Sequence, residues 1–523
     1  MKKQNMKKRI CIKNGIVYDP LNGINGEKMD IFIDGCHIDN ELNELSDAEV
    51  LDVNGCAVMP AGVDVHSHVA TYGLNFARYI FNFPTVSAAG LTYAMMGYSH
   101  VNEPLMTIDT ASYVHHELSS IPFVDVSALL AVSLREVADE IREGDHETVR
   151  GVFRRLAEIT KAIGIKIYDK RVSYERKGYF YREIDMETCI QFLKSVSQND
   201  VPCDYEIDDN EMRIVMKNIP IYMRTSEDIL RDVPLDVLKA FRLSHISSGI
   251  TDDETYERAF KFLRDGGSAD IGISIPHDGP RITDAAGSGV FIDIGFDKPL
   301  IFSAAETEKK SEMKKEMEVS VRLAMEAHAF NNIVFSTDSP NGCIFADYPK
   351  VFAALMDRNM RKDVFGDAII SDYEYSLFDI ARVRSANAAR FLCLDMKGHM
   401  GAGAIADIAI YEINENTKGH EIERKLRKCK FLLKNGDFVI YNAELAAHPN
   451  CRTIYADFLK KDNKKDNKKD GQNNKKSKKN DNKIKNNKDN KVEDKVERVL
   501  RRICDSRSFR REHIRVDKIF TSR

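Results

Sequence analysis

Between residues 58 and 396, runs of β-branched and other apolar residues alternate with stretches patterned at helical period. Residues 128–132 form one such run, residues 146–163 the amphipathic stretch after it, and residues 164–168 the next run. Strand–helix alternation sustained over this length predicts βα units around a parallel sheet, and suits a (β/α)8 TIM-like barrel with insertions. The flanks read differently. Residues 9–18 and 29–33 are short strands separated by a Pro20-Leu21-Asn22-Gly23 turn, and residues 406–411, 431–433 and 438–441 are short strands around an Asn435-Gly436 hairpin turn. The expected α/β architecture is a barrel over 58–396 with a small composite β-sandwich built from both flanks, 1–57 and 397–459.

Past Leu459 the text becomes Lys/Asn-rich. Residues 460–491 have too few apolar positions to bury a core and predict a disordered linker. In 492–523, Val496, Val499, Leu500 and Ile503 recur at helical spacing, which predicts a short basic amphipathic segment. Such a tail suits an acidic partner, nucleic acid or a membrane surface, or serves only to solubilise.

Of the 523 residues, 43% are apolar and 30% charged, an ordinary globular balance that excludes collagen-like and wholly disordered chains. The net charge of −4 conceals an asymmetry: fourteen Lys against five Asp in 460–491 and ten Lys and Arg against six acids in 492–523 leave the body at −17. No apolar run approaches the eighteen or so residues of a membrane span, and the basic N-terminus lacks a signal-peptide core, so a cytoplasmic protein is expected. Ten cysteines without a CxxC pair predict neither a zinc ribbon nor an iron–sulfur ligand run.

The sharpest chemical feature is Met59-Pro-Ala-Gly-Val-Asp-Val-His66-Ser-His68. Two histidines two apart at the end of an apolar run share one strand face, so both rings can reach one metal ion. Taken alone, the pair also fits hydrogen-bonded core histidines. Lys166, in Gly164-Ile-Lys-Ile-Tyr168, alternates with two isoleucines and points to the opposite face, the interior of a barrel strand. There an acid partner or carbamylation would relieve the cost of a buried ammonium.

In order along the chain, GVDVHSHVA with NFAR (62–79), YAMMGYSHVNEPLM (93–106), AIGIKIY (162–168), RLSHI (242–246), FSTDSPNG (335–342) and GAGAIADIAIYEIN (401–414) resemble the amidohydrolase superfamily. More narrowly, they resemble the amidohydrolase-like subunits of formylmethanofuran dehydrogenases. The resemblance implies a site of two metals, expected to be Zn2+, with His66, His68, His245 and Asp338 as ligands and a carboxylated Lys166 bridging them. Asp338 would also shuttle the proton. Where the family has a histidine-rich strand end, this chain has Cys203-Asp-Tyr-Glu206-Ile-Asp208-Asp209, so Glu206 and Asp208 become candidate oxygen ligands. Ser339 stands where the family has a histidine, and His277 is a further candidate.

The implied activity is a metal-dependent hydrolase acting on C–N bonds other than peptide bonds: condensation of formate with the amine of methanofuran to formylmethanofuran, and its reverse, in the CO2 reduction of methanogenesis. The implied partners are the other subunits of the formylmethanofuran dehydrogenase complex. Molybdopterin and iron–sulfur clusters would belong to those subunits, and nucleic acid is not an expected partner. Two alternatives stand beside this reading: a degenerate scaffold subunit, and a free-standing amidohydrolase.

Overall fold

The computed structural model describes residues 8–41, 48–71, 74, 78, 83–167, 186–196, 204–208, 210–276, 281–282, 302–303, 307–367, 371–447, 449–458 and 491–503. His277 and the Lys/Asn-rich stretch up to residue 490 lie outside them. Eight strands, Gly62–Asp64, Tyr98–Met106, Asp125–Val132, Gly164–Ile167, Ile221–Arg224, Arg242–Ser244, Ser268–Gly272 and Ile333–Ser336, pair in that order, all parallel. A parallel bridge between Ser67 and Ser339 joins the last to the first. The result is the closed (β/α)8 barrel that the alternation predicts.

The third strand, Asp-Val-Ser-Ala-Leu-Leu-Ala-Val, is buried almost throughout, because helices cover its outer face and side chains fill the interior. The helix His146–Thr160 shows how the cover forms. Val149, Val152, Phe153 and Leu156 fall on one buried face. The Asp145 side chain accepts from the Thr148 N–H at 3.1 Å, capping the first turn.

The two flanks form one nine-stranded sheet, joined where Ile408–Tyr411 pairs antiparallel with Ala57–Pro60. Ile10, Ile33 and Val58 from one flank share a core with Ile408, Phe431 and Leu433 from the other. The strand Thr453–Phe458, expected in this flank, instead pairs with Glu211–Met216 and, through Thr453 and Val126, with the third barrel strand. Sandwich and barrel are clamped by buried charges. Lys397 Nζ donates to Asp125 Oδ2 at 2.9 Å and also pairs with Asp407, while Lys434 Nζ lies 2.6 Å from Asp125 Oδ1.

A helix over 491–503 packs back on the barrel. Val496, Val499, Leu500 and Ile503 are buried. Lys495 bonds Glu143 at 2.7 Å and Asp145 at 2.6 Å, and Arg502 bonds Glu140 at 2.8 Å. The basic amphipathic segment thus finds its acidic and apolar partner on its own barrel. No described helix is long and apolar enough to cross a membrane.

Candidate metal centre

The chain leaves the first barrel strand under tight control. The Asp64 carboxylate accepts from the His66 N–H at 3.0 Å and from the Tyr93 hydroxyl at 2.7 Å. Asn102 on the second strand donates to the Val65 carbonyl at 2.9 Å. Glu103, beside it, is fully buried and accepts from Val69 N at 3.0 Å, Ala70 N at 2.8 Å, Thr71 Oγ1 at 2.6 Å and Leu105 N at 3.1 Å. Its Oε1 also lies 3.1 Å from His68 Nδ1. A carboxylate fixed by four donors sets the orientation of that imidazole, leaving Nε2 free to face the barrel axis.

The remaining groups come from the ends of other strands, where barrel chemistry collects. Lys166 places Nζ 3.4 Å from His66 Nε2. His245 follows the sixth strand and Asp338 the eighth; both hold the left-handed backbone conformation, φ 51° and 45°. That conformation costs a residue with a Cβ roughly 1–3 kcal/mol and clusters where a site dictates geometry. Asp338 Oδ1 is the point of convergence: His68 Nε2 lies 3.2 Å away, His245 Nε2 3.5 Å and His66 Nε2 3.6 Å. On the far side of two of these rings sits Asp270, fully buried in the seventh strand. Gly272, two residues on, leaves the room that the His245 ring occupies, since a Cβ there would stand 2.2 Å from His245 Nδ1.

Crowding sets the protonation of the cluster. Burial pushes His66 well below 6.5, and His245 and Lys166 push the same way. Burial acts likewise on His68, but Asp338 and Glu103 overcome it and lift the ring to about 9. Burial raises Asp338, yet His245 and the other imidazoles hold it well below the usual carboxylate range. Burial lowers the Lys166 ammonium to about 8. An amine brought this far down supplies neutral nitrogen near neutral pH.

These residues fit a metal ion. His66, His68 and Asp338 offer ligand atoms within 4.8 Å of one another, as do His66, His245 and Asp270. His245 Nε2 and Asp270 Oδ1 are buried without a hydrogen-bond partner among the described residues. Buried polar atoms are ordinarily satisfied, so an orphaned imidazole nitrogen facing a carboxylate and two further imidazoles marks a ligand set.

His66, His68, Lys166, His245 and Asp338 are thus brought together, whereas Glu206 and Asp208 are not. Glu206 lies on the hairpin strand Asp204–Ile207, exposed, with Arg213 at 3.0 Å. Asp208 Oδ1 caps the hairpin turn, accepting from Asn210 N at 2.9 Å and Glu211 N at 2.7 Å. The hairpin extends the sheet through 453–458, away from the barrel mouth, so these two carboxylates cannot serve as the oxygen ligands expected of them. The fifth barrel strand is Ile221–Arg224, and the residue at its end is Arg224. Asp270 and Glu103 are absent from the sequence-based expectation. Each is an acid inside an otherwise apolar strand, Ser-Ala-Asp-Ile-Gly and His-Val-Asn-Glu-Pro-Leu, and that interruption is the signal that could find them.

The Amidohydrolase family model matches residues 325–440, the stretch that carries Asp338 and the second flank. Protein FwdA of Methanocaldococcus jannaschii is 27% identical over 522 aligned positions, covering 85% of this chain and 90% of FwdA. A subunit of the formyltransferase/hydrolase complex Fhc of Methylorubrum extorquens is 22% identical over 517 positions, covering 85% of this chain and 91% of its own. The crystal structure of the FhcABCD complex from the same organism, with methylofuran, shares the fold at a TM-score of 0.67 and 19% identity, covering 86% of this chain and 91% of that one. Motif order, barrel architecture and similarity along most of the length agree: this is an amidohydrolase-type chain resembling the amidohydrolase-like subunit of formylmethanofuran dehydrogenase.

Proposed function

We propose that this chain is the metal-dependent subunit that joins formate to the primary amine of methanofuran, and in reverse hydrolyses the formamide, within a formylmethanofuran dehydrogenase-type complex. The observation that carries the reading is the convergence of three imidazole nitrogens on Asp338 Oδ1 at the C-terminal mouth of the barrel. Support for the substrate class comes from the similarity to one subunit of a formyltransferase/hydrolase complex whose crystal structure holds methylofuran.

The seat for zinc is His66, His68, His245 and Asp338, with Lys166 adjoining; its carboxylation would add an anionic oxygen donor on that side of the cluster. When bound, zinc supplies Lewis-acid polarisation of the formyl carbonyl. The chain's own part is positioning and proton handling. Asp338, kept ionised by its imidazole neighbours, accepts a proton from the amine nitrogen as the C–N bond forms, and returns it to the oxygen leaving as water. Formate and an alkylammonium thereby give one formamide and one water, with charge and atoms balanced. Glu103 holds His68 still through the cycle. Redox cofactors reside in the partner subunits.

The test is formate release from formylmethanofuran, or from a simpler N-formyl amine, by the zinc-loaded protein with its partner subunits. Asp338→Asn should lower turnover by about 10²–10⁴-fold, the usual share of a general acid–base group. Turnover unchanged in that variant would move the chemistry elsewhere and favour a scaffold.

A further inference from the structure

His68 has a buried carboxylate, Glu103, behind its Nδ1. The other two histidines share one. Asp270 Oδ2 lies 3.5 Å from His66 Nδ1 and 3.4 Å from His245 Nδ1, while both Nε2 atoms face Asp338 on the opposite side. Ser336 Oγ, on the neighbouring eighth strand, donates to the same Oδ2 at 2.9 Å and fixes the carboxylate. The two rings are 3.9 Å apart between centroids, so one oxygen placed between their Nδ1 edges reaches both.

We propose that Asp270 is the common outer support of the metal centre, orienting His66 and His245 together and holding both in the tautomer that presents Nε2 to the ion. A carboxylate with no exposed surface and an orphaned Oδ1 is expensive to bury, and among the described residues no arginine or lysine bonds it. Its neighbours are instead the imidazoles of the site. The backbone preserves the arrangement: Ser247 Oγ, just past His245, donates to the Gly272 carbonyl at 3.0 Å, tying the sixth-strand loop to the strand that carries Asp270. Metal-binding imidazoles characteristically give their second N–H to such a carboxylate, and loss of that partner typically weakens metal binding 10–100-fold. Serving two rings, Asp270 couples them: a change there disturbs two ligands while removing none.

The inference rests on the metal-centre reading but not on the substrate, and its test reads metal rather than turnover. Zinc affinity by chelator competition, ion stoichiometry by elemental analysis, and the visible spectrum of the cobalt-loaded protein are compared for the full chain, Asp270→Asn and the milder Ser336→Ala. Asp270→Asn should keep the wild-type number of ions, weaken zinc binding 10–100-fold and alter the cobalt bands. Ser336→Ala should do the same to a smaller degree, and it remains informative if the first variant does not fold. Loss of one whole ion in Asp270→Asn would make Asp270 a direct ligand and overturn the proposal. Affinity and spectrum unchanged in both variants would deny it any role at the centre.

Discussion

Gly272→Ala places the sharpest demand on the site's geometry. The new methyl would begin 2.2 Å from His245 Nδ1 and 3.1 Å from its Cε1 and Cγ. Ordinary contact needs about 3.4 Å or more, so the ring must retreat by roughly 1 Å in an interior packed too tightly to absorb it freely. Sliding the backbone is not an easy alternative, because His245 already sits at φ 51° and Ser247 is tied to the Gly272 carbonyl. Zinc–nitrogen bonds are held near 2.0–2.1 Å, and a ligand displaced by about 1 Å no longer bonds. The expected loss is at least the 10–100-fold that follows from disturbing a ligand's support, about 1.4–2.8 kcal/mol of binding free energy. Chelator-competition titration of zinc measures it directly, with the thermal melt of the metal-free protein as the control for folding. Zinc binding within twofold of wild type, in a folded Gly272→Ala protein, would refute the placement of His245 in the metal seat.

Other outcomes follow from the same packing. Lys397→Met strands Asp125 and Asp407 at the join between barrel and sandwich, and should cost about 3–5 kcal/mol in urea unfolding, as expected for a broken buried ion pair; a loss under about 1 kcal/mol would contradict the clamp. His100 is kept neutral in the fold, its pKa pushed down to about 3 by burial and then by Lys397. The unfolded chain binds that proton near 6.5 and the native state does not, so stability should fall as pH drops from about 6.5 toward 3, by on the order of 4 kcal/mol. His100→Gln should flatten that part of the acid limb; an unchanged profile would count against it. Leu500→Asp removes a buried contact of the 491–503 helix, and amide-exchange protection there should collapse while the barrel strands keep theirs. Gly151→Val should do likewise, since Val496 Cγ2 lies 2.6 Å from a Cβ at that position; persistent protection in both would mean that the helix is held some other way.

Periodicity carries the architecture because each βα unit repeats the same burial: apolar strand, amphipathic helix, apolar strand. It fails where strand pairing depends on partners distant in sequence. The Asp204–Ile207 and Glu211–Met216 segments flank an Asp208-Asp209-Asn210 turn and form a hairpin, which the turn residues themselves announce. Reading that segment as a barrel-strand end draws Glu206 and Asp208 into the ligand set and passes over Arg224, at the true end of the fifth strand. Thr453–Phe458 joins the barrel-side sheet through partners some 240 and 330 residues away, and no local pattern encodes that. The histidine pair, Lys166, His245 and Asp338 are legible because motif order places each at a strand end. Asp270 and Glu103 are not, because a supporting carboxylate is defined by what it faces rather than by its neighbours in sequence. The apolar face of the C-terminal helix is readable, but its resting place on the acidic residues 139–145 is not.

The most direct measurement is anomalous X-ray scattering at the zinc edge from crystals of the zinc-loaded protein. The account predicts a peak at bonding distance, about 2.0–2.1 Å, from the Nε2 atoms of His66, His68 and His245 and beside Asp338. A peak bound elsewhere, or none at this seat in protein shown to carry zinc, would contradict it.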